Sequence, residues 1–435
     1  PADPGADTGG PPPPRSVGHF AGMVLDPARV DLAALPFRLP GPAVDGLMTS
    51  LEAVESVLSE RASELGVEIR RGVAVDAVTQ DDEGVVVHAG EHEHAARWVV
   101  GCDGGRSAVR GRAGFEFVGT EPQFTGYAML VTLTDPEELS PGFNLTPTGM
   151  YIRMPTSGHL GVMDFDGGAF DRTRHPTRDH LQAVLRRVSG TGVTLSEVHL
   201  ASSFTDRAKQ ATTYRRGRVL LAGDAAHIHS PLGGQGLNTG IGDAVNLGWK
   251  LAATVRRHAP DGLLDTYTQE RHPIGAWVLD WTRAQAAAMR PDPHGQAVQG
   301  LIRDLLGTRD GTTYAYGKVS GSSIRYELGS DEPLVGHNAP DFHLDDGNGG
   351  GTRLGELMRD GRGVALDFSA DRCLRGPAAR WEGRIRYAAG PARNDLGVGA
   401  VLVRPDGTVV WAGDRHPDRT AFERAAGRWF GPPTS

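Results

Sequence analysis

Cysteine is nearly missing from this chain of 435 residues, which has only Cys102 and Cys373. Two thiols so far apart, without C-x-x-C spacing, exclude a disulfide framework, a cysteine zinc site and a dithiol redox pair. They imply buried, inert thiols and a cytoplasmic setting. Lysine is almost as scarce, occurring only at Lys209, Lys250 and Lys318. The net charge of -8 leaves no basic surplus to grip a phosphate backbone, which excludes nucleic acid as a partner. No stretch approaches the ~18 consecutive apolar residues of a membrane helix. The N-terminus has no basic region leading into an apolar core, as a signal peptide requires. A G-x-S-x-G elbow is also absent, so nothing supports a hydrolase.

What is present points to a mixed α/β protein. Residues 1–17, through Pro11-Pro12-Pro13-Pro14, are polar and rich in Pro and Gly, and read as a disordered or extended leader. Leu51, Val54, Val57 and Leu58 recur at helical spacing, with Thr49 or Ser50 as cap and Gly66 as stop. A strand is expected at Val67–Arg70, then a hairpin around Asp81–Gly84 into Val85–His88. Trp98-Val99-Val100 is a buried strand running into Gly101-Cys102-Asp103-Gly104-Gly105. Between 120 and 205, alternating stretches such as Tyr127–Thr132, Met150–Met154 and Leu160–Phe165 predict antiparallel strands with one helix near Arg178–Val188. Such a sheet suits the wall of a site for a bulky substrate. Helices follow at about Asn238–Arg257, Leu263–Arg290 and Gly295–Leu306. Beyond Leu328, strands at Val364–Phe368 and Ala400–Arg404 and the turn Pro405-Asp406-Gly407 into Val409–Trp411 mark another unit.

The most specific run is Arg218-Val219-Leu220-Leu221-Ala222-Gly223-Asp224-Ala225-Ala226-His227, continuing as Pro231-Leu232-Gly233-Gly234-Gln235-Gly236-Leu237-Asn238. A buried strand delivers Asp224 to its C-terminal edge, where ligands collect in open α/β sheets. The glycines let backbone approach a flat ligand, and the next helix aims free N–H groups with partial positive charge into the same crevice. That geometry suits a ligand with hydroxyls for the carboxylate and developing negative charge for the helix. A plain strand–turn–helix, with Asp224 capping the helix, is the other reading of the same residues.

This run resembles the "GD" FAD motif of the para-hydroxybenzoate hydroxylase-like flavin monooxygenases. The stretch from Gly101 to Arg110 resembles that family's "DG" motif, which serves FAD and NADPH. His19-Phe20-Ala21-Gly22, Ile69-Arg70-Arg71-Gly72 and a C-terminal region resembling a thioredoxin domain without C-x-x-C are similar to hydroxylases that tailor aromatic polyketides. The resemblance implies an α/β FAD-binding domain at 18–119 and 206–329, N-terminally incomplete, with an antiparallel substrate domain at 120–205 and a thioredoxin-like domain at 330–435. It implies FAD with transient NADPH, a C4a-hydroperoxyflavin that hydroxylates an aromatic polyketide, and possible homodimers. Cofactor contacts would fall on Asp103, Gly104, Arg110, Gly223, Asp224, Pro231, Gly234, Gly236, Leu237 and Asn238. Asp224 would hold the ribityl chain, and the amides of Leu237 and Asn238 would face the flavin N1 and C2 carbonyl. Capping and surface ion pairing are the other reading of Asp103 and Arg110. No catalytic acid or base emerges, His19 being a weak candidate. Baeyer–Villiger oxygenation on the same fold, or a flavin-free remnant that binds a polyketide or partner, are the alternatives.

Two departures accompany the resemblance. No G-x-G-x-x-G turn for a pyrophosphate is found, as though the chain starts tens of residues late, is truncated, or is completed by another chain. Without that segment, the apolar edges at Val99 and Val219 would lack partners. Leu51 also stands where close relatives often place a Gln, which would remove one flavin contact. The remaining signals are weaker. His227 and His229 sit within the flavin-like motif, and His88, His92 and His94 lie in a polar hairpin, so no metal site is expected. Tyr267 followed by Glu270-Arg271-His272-Pro273 resembles the family's structural Y-x-x-E-R segment and reads as packing.

Overall fold

The structure is a computed structural model that describes residues 18–35, 37–39, 49–154, 157–345, 351–394 and 396–434. The expected leader at 1–17 lies outside the described residues. Strands Val99–Gly101 and Val219–Leu221 pair in parallel, with Val219 level with Val99 and Leu221 level with Gly101. Arg215–Arg216 flanks them on the Val219–Leu221 side. Val219–Leu221 is thus paired on both sides, contrary to expectation, whereas Val99–Gly101 is the outer strand of this sheet and, among the described residues, its other edge pairs with no strand. Val219, Leu220 and Leu221 are fully buried against Tyr214, Tyr267 and Leu247.

The expected strand at Val67–Arg70 does not form. That segment has no regular structure and is exposed, and the hairpin sheet is built from Ala77–Gln80, Val85–Ala89 and His92–Ala96. A backbone with no neighbour to complete a ladder has nothing to hold it as a strand. The buried-thiol expectation also needs correction. Cys102 is exposed just past the end of its strand, and Cys373 is only half-buried.

Residues 125–205 hold a five-stranded antiparallel sheet in the order Thr194–Thr205, Thr125–Thr134, His159–Asp164, Gly149–Met154, Gly142–Thr146. Side-chain alternation along these strands makes two different faces. Tyr151 turns toward the helix Arg178–Ser189 and packs with its Leu181, Val184, Leu185 and Val188. Met150 and Ile152, its neighbours in sequence, turn the other way and join Phe20, Phe143, Phe204 and Leu232. The second face is thus an apolar, aromatic wall opposite the hairpin His19–Phe20/Met23–Val24.

The C-terminal sheet runs Ile385–Ala389, Gly363–Asp367, Ala400–Val403, Val409–Gly413, with the first pair parallel and the others antiparallel. Its core is continuous with the preceding helices, because Ala253 and Leu263 belong to the same buried cluster as Val364 and Phe422. Among the described residues, no helix is long and apolar enough to cross a membrane.

Candidate functional site

Parallel pairing puts the ends of the Val99–Gly101 and Val219–Leu221 strands side by side, so the two glycine-rich loops leave the sheet at the same edge. Arg110 ties them together. Its guanidinium donates to Ala225 O at 2.9 Å and to Gly105 O at 2.8 Å, and lies 3.8 Å over the Phe117 ring. Asp103 is engaged as a cap: its carboxylate accepts from Ser107 Oγ and, at 3.1 Å, from Val109 N at the start of the Ala108–Arg112 helix. Gly104, with φ +78°, makes the turn between them.

In the second loop, Gly223 has φ +60° and opens a tight turn over Gly223–Ala225. Its N–H donates to Asp243 Oδ2 at 3.0 Å, and the same oxygen meets His227 Nε2 at 2.7 Å. Arg271 Nε donates to the other oxygen at 2.8 Å. Burial raises the Asp243 pKa, but the His227 hydrogen bond and the Arg271 charge outweigh it and hold the carboxyl below its ordinary value. This buried anchor leaves Asp224 itself exposed. Among the described residues, the Asp224 carboxylate accepts no hydrogen bond.

The Pro231–Gly236 loop leads from that turn into the next helix. Gly233 and Gly234 take φ +91° and +64°, conformations that favour glycine, and a Cβ on Gly234 would meet nothing within 4 Å. The helix Gly236–Val255 then begins without a side-chain cap, and its first intrahelical bond in this turn is Thr239 N to Gln235 O at 2.9 Å. The amides of Gly236, Leu237 and Asn238 belong to the orphan donors of the first turn. Beside them, the buried Gln235 Oε1 has no partner among the described residues. Gly240 passes so near Gly223 that a Cβ on it would stand 3.4 Å from the Gly223 Cα.

Gln285 supplies a connection that the sequence did not reveal. Its fully buried amide accepts from Ala21 N at 2.9 Å and donates to Leu232 O at 3.4 Å, which fixes the His19 hairpin against the glycine loop. His19 Nδ1 accepts from Gly22 N at 3.3 Å, and its ring lies 4.3 Å from that of Phe143. Burial pushes the His19 pKa down to about 4, so the ring is neutral near pH 7. Asp243 was missed because it looks like a solvent-facing helix residue. The Y-x-x-E-R segment does more than pack. Tyr267 OH donates to Leu221 O at 2.7 Å, Arg271 holds Asp243, and Glu270 binds Lys250 and Arg404. Among the described residues, no group of three His, Cys, Asp or Glu side chains could hold a metal ion.

An unengaged carboxylate, bare glycine backbone and an uncapped helix start thus follow one another between Gly223 and Asn238. They fit a flat ligand that carries hydroxyls at one end and negative charge at the other. That donor set matches a flavin nucleotide. The FAD binding domain family matches residues 26–282, and the aromatic-ring hydroxylase C-terminal family matches residues 332–433. This chain belongs to the FAD-dependent aromatic-ring hydroxylases, with the para-hydroxybenzoate hydroxylase-like fold. A monooxygenase of Claviceps purpurea is 44% identical over 417 residues, which cover 95% of this chain and 81% of that protein. The rifampicin monooxygenase of Streptomyces venezuelae is 40% identical over 431 residues, covering 96% and 85%. Among solved structures, the OxyS anhydrotetracycline hydroxylase from Streptomyces rimosus aligns with a TM-score of 0.85 at 35% identity, covering 96% of this chain and 85% of that one.

Proposed function

We propose that this flavin-dependent monooxygenase hydroxylates a polycyclic aromatic polyketide, with NADPH as reductant. The observation that carries the reading is that Leu232 of the glycine loop packs in one cluster with Phe20, Phe124, Met150 and Met163. The apolar wall of the five-stranded sheet thus meets the loop that would lie beside the flavin ring. The similar proteins named for rifampicin and anhydrotetracycline support a large aromatic substrate for that wall.

Bound FAD supplies the chemistry by which NADPH reduces it and dioxygen delivers one oxygen atom to the ring. The chain's own residues bind, orient and keep water out. Asp224 would accept from ribityl hydroxyls. The Leu237 and Asn238 amides stabilise negative charge at the N1 and C2 carbonyl edge. Pro231, Gly234 and Gly236 would border the flavin, while Asp103, Gly104, Arg110 and Gly223 hold the two loops in register. His19 is neutral, and its Nδ1 accepts from a backbone amide, so its ring proton sits on Nε2. It would therefore offer a substrate oxygen a donor at Nε2 rather than a base.

Titration of the purified chain with FAD, followed by absorbance, tests the site. Asp224→Ala removes a charge-assisted acceptor and should weaken FAD binding by about 10- to 100-fold. Incubation with NADPH and an aromatic polyketide under labelled dioxygen should then place one labelled oxygen on a ring carbon. Unchanged affinity in the variant, or a labelled lactone as product, would refute the assignment.

A further inference from the structure

Behind the flavin-facing turn lies a second buried charge cluster that the reaction does not use. Arg404, at the end of the C-terminal strand Ala400–Val403, is fully buried and grips Glu270 with both terminal nitrogens at 2.8 Å. It also binds Asp406, whose Oδ2 accepts from Trp249 Nε1 at 3.2 Å. Lys250 Nζ reaches Glu270 Oε2 and Asn246 Oδ1, both at 2.8 Å. The Trp429 ring lies 4.5 Å from the Arg404 guanidinium. Two cations face two carboxylates here, Lys250 and Glu270 from the helices and Arg404 and Asp406 from the C-terminal unit, so losing any one of the four leaves the cluster with an unmatched charge.

This cluster is joined to the turn. Glu270 and Arg271 are consecutive on the helix Thr266–Ala288, and Asp243, Asn246 and Lys250 share one face of the helix Gly236–Val255 at helical spacing. Tyr326 stands between the two sets. Its hydroxyl accepts from Arg271 Nη1 at 3.0 Å, and its ring lies 5.8 Å from the Arg404 guanidinium. Arg271 in turn holds Asp243, the acceptor for the Gly223 N–H. Every member is hydrogen-bonded, and removing a charged one leaves a buried partner short of its counter-charge.

We propose that Arg404 is a positioning residue for the Gly223–Asp224 turn, acting through Glu270, Arg271 and Asp243, so that docking of the C-terminal sheet sets the flavin contact. The proposal rests on the reading that this turn faces FAD. The fork that Arg404 presents to Glu270 is bidentate, and a lysine cannot reproduce it.

The test uses the full chain. Amide hydrogen exchange, measured without flavin, reads the Gly223 N–H directly, and FAD titration reads the site. Arg404→Lys should raise exchange in the 219–230 segment and weaken FAD binding, each by about 5- to 30-fold, while exchange in the 125–205 sheet stays unchanged. Val401→Ala, a cavity in the same sheet away from the network, should leave the 219–230 segment as it is. Should Arg404→Lys not fold, Tyr326→Phe removes only the hydroxyl that braces Arg271 and should shift both readouts in the same direction by a smaller factor. Faster exchange confined to 330–434, or an equal response to Val401→Ala, would overturn the proposal. A wild-type chain that leaves FAD free would overturn the functional reading instead, and exchange at Gly223 would still decide the coupling.

Discussion

Two helices of this protein use the same periodicity in opposite ways. In Leu51–Glu64 the apolar residues recur at helical spacing, yet no residue is buried, and Leu51, Val57 and Leu58 are 61%, 66% and 61% exposed. In Gly236–Val255 the interior face carries Asp243, Asn246 and Lys250, while Leu237, Ile241 and Val245 are 50%, 44% and 47% exposed. The first helix is held by local terms: Ser50 Oγ accepts from Ala53 N at 3.2 Å, and Arg61 pairs with Glu64. The second is held across the fold, by Leu247 and Ala253 packed in apolar clusters and by buried polar side chains whose charges are all matched. Hydrophobic spacing therefore establishes that a helix forms, whereas the partners that cross the fold decide which face is buried.

The comparison breaks most visibly if the charged interior is damaged. Glu270→Leu leaves Lys250 and Arg404 facing Asp406 alone, and an uncompensated buried charge costs about 3–5 kcal/mol. Urea denaturation followed by tryptophan fluorescence should show that loss. A change below about 1 kcal/mol would mean that water reaches the cluster.

A smaller effect sharpens the same contrast through pH. Burial, with the Arg404 charge, pushes Lys250 down to about 8 from its ordinary 10.5, against the pull of Glu270. Between those two values the unfolded chain keeps a proton that the folded chain has released. This group therefore makes stability rise with pH across that window, by at most about 3 kcal/mol. Lys250→Met should flatten that part of the slope, measured as the difference between variant and wild type from pH 8 to 10.5. Identical slopes would show that Lys250 stays protonated in the fold.

Local chemistry was legible in the sequence, and distant pairing was not. Of the two caps the sequence offers, Thr49 and Ser50, Ser50 is the one used, and Gly66, with φ +74°, follows the helix end as expected, because both act within a few residues. The Gly223-Asp224 loop was readable because glycines with positive φ announce an unusual backbone. The helix Arg309–Val319 was missed. Gly311 and Gly317 lower its propensity, and the Thr308 cap and buried Ala315 and Tyr316 restore it. Arg404 lies 134 positions from Glu270, and Ala21 lies 264 from Gln285. Nothing local marks such residues as partners. Pro405-Asp406-Gly407 reads simply as a turn, and it is one, but Asp406 is also a buried counter-ion.

The smallest expected effect concerns the exposed helix. Leu58→Glu places a charge where the side chain already meets water, so it breaks no packing and strands no polar group. Such surface changes stay within about 0.5 kcal/mol. The result for Ile241→Glu should be alike, even though Ile241 sits on the helix whose other face is the most tightly paired part of the molecule. Chemical denaturation of both variants beside the wild type measures this. If either loses about 2 kcal/mol or more, the apolar stripe is packed against something in solution. The exposed and buried faces would then follow one rule, and the contrast between the two helices would disappear.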